Sequence, residues 1–145
     1  MIKISVCDDD EGQLTFFMEY NEKHKEKIEA NFYQSVQSLL NEKKFSPDVY
    51  FLDIELQDGN GLKLAGKIRT RNSKIPIVFI TSHEEFMPEA FHVHAYQYLN
   101  EKKNAQAVEN VLNQLADYFS EQNQIFSFQT YGEMISLDCR DIICF

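Results

Sequence analysis

The sequence predicts an α/β fold, a doubly wound five-stranded parallel sheet. Two observations carry this. Short apolar runs alternate with longer stretches of helical period, the pattern of parallel strands joined by crossover helices. The chain has 145 residues, 43% of them hydrophobic and 26% charged, enough for one full hydrophobic core and too few for two domains of ordinary size.

The apolar runs IKISVC (2–7), IEANFY (28–33), VYFLD (49–53), IPIVFIT (75–81) and AYQYL (95–99) predict the five strands. Leu14, Phe17 and Met18 mark the core-facing stripe of a first helix, Val36, Leu39 and Leu40 a short second one, and Leu64, Ala65 and Ile68 a third. Phe86, Ala90 and Phe91 mark a fourth, with Pro88 confined to its first turn. Val108, Val111, Leu112, Leu115 and Phe119 recur at i, i+3, i+4 and i+7 and predict a final amphipathic helix. Strict alternation with right-handed crossovers gives a flavodoxin-like (βα)5 sandwich with strand order 2-1-3-4-5. Ligands of such sheets bind outside the carboxyl ends of the strands, where the strand order reverses.

Residues 1–121 are expected to form this domain. After the polar SEQNQ, the alternation in IFSFQT (125–130) predicts a strand, with Tyr131-Gly132-Glu133 turning it back as a hairpin. Residues 122–145 are therefore expected to be a linker and the first strands of a second domain. A formal charge of -9 argues against non-specific binding to nucleic acid, which requires clustered Lys and Arg. No apolar run approaches the roughly 20 residues needed to cross a bilayer, and the N-terminus does not read as a signal peptide, so a cytoplasmic protein without membrane contact is expected. Cys7, Cys139 and Cys144 lack CxxC spacing and read as small buried hydrophobes.

The acids at the strand ends carry the functional reading. The run Val49-Tyr50-Phe51-Leu52 is built for a core yet stops at Asp53, and the first strand runs into Asp8, Asp9 and Asp10. The switch-point rule brings these ends onto one rim. Two carboxylates about 5 Å apart repel by roughly 3 kcal/mol at an effective dielectric near 20. Such a cluster must be protonated, opened to water or filled by a cation. Hard oxygen ligands without His or Cys favour Mg2+, and a cation beside a free carboxylate suits phosphoryl transfer with Asp53 as nucleophile. Asp10 with Gln13 fits a capping box for the first helix. Thr81, ending the fourth strand, lies on the same rim, where its hydroxyl is placed to bond a phosphoryl oxygen; Tyr98 sits on the neighbouring strand with space to follow it.

These residues resemble the receiver domain of bacterial two-component response regulators. VCDDDE, FLDIELQDGNGLKLAGKIR, IPIVFITS and AYQYL stand in the family order over about residues 1–121. The resemblance implies that Asp53 is phosphorylated by a sensor histidine kinase. It implies Mg2+ held by Asp8 or Asp9 together with Asp53 and the backbone carbonyl of Glu55, and Thr81 with Tyr98 as a switch pair on the face of the fourth helix and fifth strand. DGNG looks like the turn after the phosphorylated strand, with Gly59 and Gly61 supplying backbone freedom. The tail from IFSFQT resembles the opening of a LytTR-type DNA-binding domain. That implies a transcription regulator, with possible homodimerisation on phosphorylation and DNA contact only through that further domain.

Two departures stand out. Gln57-Asp58 replaces the usual Pro-Gly, and the register of the family's lysine after the fifth strand lands on Glu101, with Lys102 and Lys103 following. A slip by one residue is expected to turn Lys102 towards Asp53 and Glu101 to solvent, with Lys103 the alternative. Glu55 and His83, each two residues beyond a key position, are placed to act on the water that hydrolyses the acyl phosphate. The domain reads as a phosphoacceptor rather than a turnover enzyme. A pseudo-receiver that takes no phosphate is one alternative; a Mg-dependent phosphatase of the haloacid dehalogenase type, using Asp53 and Glu55, is another. His92 and His94 lack further ligands at metal spacing and read as solvated residues.

Overall fold

The computed structural model describes residues 1–132. It divides the chain into two compact units, Met1–Ala105 and Gln106–Phe145. In the first unit the elements run β1 (Ile2–Cys7), α1 (Glu11–Lys23), β2 (Ile28–Tyr33), α2 (Val36–Leu40), β3 (Val49–Leu52), a small hairpin β4 (Glu55–Leu56) and β5 (Gly59–Asn60), α3 (Gly61–Arg71), β6 (Ile77–Ile80), a 3-10 turn (Glu84–Phe86), α4 (Met87–His92) and β7 (Gln97–Leu99). The main sheet is parallel with order β2-β1-β3-β6-β7, which is 2-1-3-4-5 once the antiparallel β4–β5 hairpin is set aside. This is the flavodoxin-like doubly wound α/β fold.

Sheet parity sorts the core. The registers align Cys7 with Leu52 and Leu52 with Phe79, and these join Ile54, Leu64, Ala65, Ile68, Ile77 and Ala90 in one buried cluster beneath α3 and α4. The alternate residues Val6, Phe51 and Val78 are equally aligned and face the other way, where Phe17 of α1 sets its ring 5.4 Å from that of Phe51. A strand covered on both faces has no solvent side, which is why IVFI of β6 is buried at every position.

Local chemistry starts the helices. Asn60 caps α3 by accepting from Leu62 N–H at 2.6 Å. Ser35 and Ser38 form a reciprocal cap on α2, and the Asp58 carboxylate accepts from Val36 and Gln37 N–H at 2.8 and 3.1 Å, tying the loop after β3 to that helix. These bonds hold Asp58 ionised to lower pH than an ordinary aspartate. The Arg69 guanidinium donates to the carbonyls of Ile75, Val93 and His94, which fastens the turn after α4 to the end of α3.

Several expectations require correction. The buried stripe of α1 is Gln13, Leu14, Phe17 and Tyr20, so Met18 falls outside it and is 47% exposed. The buried amide of Gln13 rotates the face by about one residue. Phe91 is 76% exposed while Ala90 is buried, because adjacent positions on a helix point about 100° apart and this six-residue helix offers one narrow face. Asp10 caps α1 through Gly12 N–H at 2.9 Å, but the capping box does not form: Asp10 N–H donates to Asp8 Oδ1 and Gln13 turns elsewhere. No glycine has a positive φ among the described residues. Gly61 is needed for close approach instead, since a Cβ there would lie 2.0 Å from the Asp53 carbonyl oxygen.

In the second unit, α5 (Ala105–Gly132) buries Val108, Val111, Leu112 and Leu115 on one face. The helix continues through residues 125–130, where alternation predicts a strand. Extending an existing helix gains one hydrogen bond per residue fixed, whereas a lone strand gains none until a partner pairs with it. Glu133, Cys139 and Cys144, with the rest of the tail, lie outside the described residues.

Candidate functional site

Asp8, Asp53 and Thr81 are each the first residue beyond a strand, and each is still held by one sheet hydrogen bond. Asp8 N–H donates to the Tyr33 carbonyl, Asp53 N–H to that of Cys7 and Thr81 N–H to that of Leu99, all at 3.0 Å. The sheet thus fixes the three backbones on one rim, with the residues 2, 5 and 0% exposed. Asp9 is half-buried beside them. One carboxylate oxygen from each of Asp8, Asp9 and Asp53 falls within 4.8 Å of the others.

Lys102 closes the group. Its Nζ lies 2.9 Å from Asp53 Oδ2 and 3.2 Å from Asp8 Oδ2. β7 ends at Leu99, and a turn brings Lys102 inward; Lys103 in this turn adopts φ 58°. The one-residue slip is therefore taken up after the strand. Glu101 is exposed and accepts from the Asn104 amide, while the Lys103 ammonium lies over Gly12.

Burial pushes the Asp8 carboxyl up to about 6; the nearby Asp53 charge adds to this, and the Asp10 N–H and Lys102 oppose it. Burial also pulls the Lys102 ammonium down, but its contacts with Asp53 and Asp8 outweigh that and leave it above an ordinary lysine. Desolvation, helped by the Asp8 charge, pushes the Cys7 thiol up to about 12, so this buried cysteine is an inert packing group.

A cavity of about 290 Å³ opens over the acids, lined by Asp9, Asp53, Glu55, Thr81, Ser82, His83 and Lys102 among others. At its mouth the His83 imidazole bridges two carboxylates, Nε2 at 3.1 Å from Glu55 and Nδ1 at 3.3 Å from Glu85. Thr81 Oγ1 accepts from His83 N–H at 3.3 Å, and the Tyr98 hydroxyl donates to the His83 carbonyl. Thr81 and Tyr98 therefore meet through His83 rather than directly. The donor set fits a hard divalent cation: three carboxylate oxygens converge, and no nitrogen or sulfur ligand joins them among the described residues.

Sequence reasoning brought Asp8, Asp9, Asp53, Thr81 and Lys102 to this rim. It missed what Gln13 does: buried on α1, it accepts from Lys103 N–H at 2.9 Å. Its signal was an amide at i, i+4 and i+7 spacing with Phe17 and Tyr20.

A rim of this kind, at the carboxyl ends of a 2-1-3-4-5 parallel sheet, defines a receiver-type signalling domain. Residues 4–114 match the response regulator receiver domain family, and the chain belongs to that family, the receiver domains of two-component response regulators. A response regulatory protein of Yersinia pestis is 31% identical over 117 residues, 80% of this chain and 49% of its own length. Sensory transduction protein LytR of Staphylococcus haemolyticus is 32% identical over 111 residues, 77% of this chain and 42% of its own length. The chain thus spans half or less of the length of these curated relatives. The response regulator TrrA of Thermotoga maritima, solved in complex with Mg(2+)-BeF, superposes with a TM-score of 0.67 at 22% identity over 79% of this chain and 99% of that one. No described helix is long and apolar enough to cross a membrane.

Proposed function

We propose that this receiver takes a phosphoryl group on Asp53 from a sensor histidine kinase. The observation that carries this reading is the Asp53 carboxylate itself, buried in the sheet yet lining an open cavity, with two further carboxylates and an ammonium around it. An Asp53 oxygen attacks the phosphorus of a phosphohistidine; the P–N bond breaks as the P–O bond forms, and the leaving imidazole nitrogen takes a proton from solvent. Asp8, Asp9 and Asp53, with the Glu55 carbonyl, would hold Mg2+, which offsets the charge of the incoming phosphoryl oxygens. Lys102 would supply one positive charge beside Asp53, and the Thr81 hydroxyl would donate to a phosphoryl oxygen.

That last bond gives the switch its physical basis. Thr81 Oγ1 now accepts from His83 N–H; turning its hydroxyl to the phosphoryl group draws on the loop whose carbonyl holds Tyr98. The face of α4 and β7 is the surface this changes. In the full regulator, phosphorylation would favour a homodimer, and transcription would be reached through a DNA-binding domain of LytTR type.

The test is direct. The protein is incubated with acetyl phosphate and Mg2+ and its intact mass is measured. One added phosphoryl group, absent from Asp53→Ala, is expected; equal uptake by that variant rejects Asp53 as acceptor.

A further inference from the structure

Gln13 is 1% exposed on the core face of α1, where its neighbours on the stripe are Leu14, Phe17 and Tyr20. An amide is a costly occupant of such a position unless all its polar atoms are satisfied. Here they are not. Oε1 accepts from Lys103 N–H at 2.9 Å, while Nε2 is buried with no partner among the described residues. The single bond the side chain makes is thus to the residue that follows Lys102.

That residue is where the backbone needs holding. Lys103 sits at φ 58°, a conformation that lysine rarely adopts without outside constraint. Its side chain lies back over α1, so that a Cβ on Gly12 would come 2.8 Å from its Nζ. The first helix therefore holds the turn through Gln13, with the Lys103 side chain packed beside Gly12. The geometry that results turns Glu101 outward and sends Lys102 inward to Asp53 and Asp8.

We infer that Gln13 is a positioning residue for Lys102: its side-chain carbonyl pins the turn after β7 in the one conformation that delivers this ammonium to the acidic rim. The importance of that delivery rests on the phosphoacceptor reading above. Among the described residues the Gln13 side chain bonds none of Asp8, Asp9 and Asp53 and does not line the cavity; it acts through the backbone of Lys103.

Gln13→Met keeps the length and volume of the side chain and removes both the acceptor and the unpartnered N–H, so the fold is expected to persist. Gln13→Leu serves the same purpose if the methionine variant unfolds early. Lys102 is acetylated with limiting acetic anhydride and followed by mass spectrometry, with the exposed Lys3 and Lys63 as internal references. Lys102 is expected to react severalfold faster in the variant while the references and the unfolding midpoint hold. Phosphoryl uptake from acetyl phosphate should fall severalfold in Gln13→Met, and in a Lys102→Ala background the same change should have no further effect. Unchanged Lys102 reactivity in a folded variant overturns the inference, and so does full uptake despite a freed Lys102. A parent protein that takes no phosphoryl group overturns the acceptor reading alone, because the labelling still decides whether Gln13 places Lys102.

Discussion

Lys102 Nζ and Asp53 Oδ2 are 2.9 Å apart although the residues are separated by 49 positions, and the same nitrogen is 3.2 Å from Asp8. One ammonium thus partly offsets two buried carboxylates that would otherwise repel each other. With Asp9 counted, three carboxylates face one ammonium and leave the cluster two positive charges short, which is the electrostatic opening for a divalent cation.

Removing that ammonium exposes the repulsion. Lys102→Ala is expected to lose about 2 kcal/mol at pH 7 without divalent cations, less than for breaking a fully buried pair because Lys102 is partly exposed. Millimolar Mg2+ should recover part of the loss. Lys103→Ala should stay within about 0.5 kcal/mol, and Lys103→Gly should gain slightly by relieving φ 58°. Urea unfolding with and without Mg2+ checks all three; equal losses at the two lysines would contradict the separate roles.

Asp8 makes stability depend on pH in a definite direction. Its folded pKa of about 6 lies above the ordinary value of 3.8, so the native state holds this proton more tightly than the unfolded chain does. The contribution is present below about pH 4 and is lost as pH rises to about 6. Asp8→Asn keeps an acceptor for Asp10 N–H and should raise stability at pH 7 by about 1–2 kcal/mol in the absence of metal, discounting for coupling with Asp53 and Lys102. The same variant should lose most of the stabilisation by Mg2+. A less stable Asp8→Asn at pH 7 would show that the carboxylate is favourable there.

Two glycines in one helix should respond with opposite sign. At Gly61 a Cβ would meet the Asp53 carbonyl oxygen at 2.0 Å, and backbone on both sides resists a shift, so Gly61→Ala should cost about 3 kcal/mol and disturb metal binding. At Gly66 nothing lies within 4 Å of the added carbon, and Gly66→Ala should gain about 0.5–1 kcal/mol from helix propensity. Thermal unfolding of the pair is the check. Similar midpoints for the two variants would mean that the close approach at Gly61 relaxes freely.

His83 and Glu55, 3.1 Å apart, both line the cavity over Asp53. Replacing both with alanine is predicted to change the half-life of the acyl phosphate severalfold while leaving uptake intact. The decay of the phosphorylated mass after removal of donor measures this. An unchanged half-life assigns the two residues to the surface alone.

The fold was open to sequence reading because each strand signal is local. Ile2–Cys7 and Ile28–Tyr33 stand where their apolar runs do, and Asp53 was conspicuous because a charge ends a core run. The acids converge because topology puts the ends of β1 and β3 side by side, which follows from the order of elements alone. The sequence by itself thus determined the sheet, the rim and the acids on it. The sequence favoured Lys102 over Lys103, but only the tertiary structure decided between them, for Glu101, Lys102 and Lys103 differ by single steps that a flexible turn can absorb. The choice is made by the left-handed conformation of Lys103 and by a hydrogen bond to Gln13, 90 positions away. The same reason explains Asp58 capping α2 from another loop. In each case a side chain has several local options of similar free energy, and a distant partner selects among them.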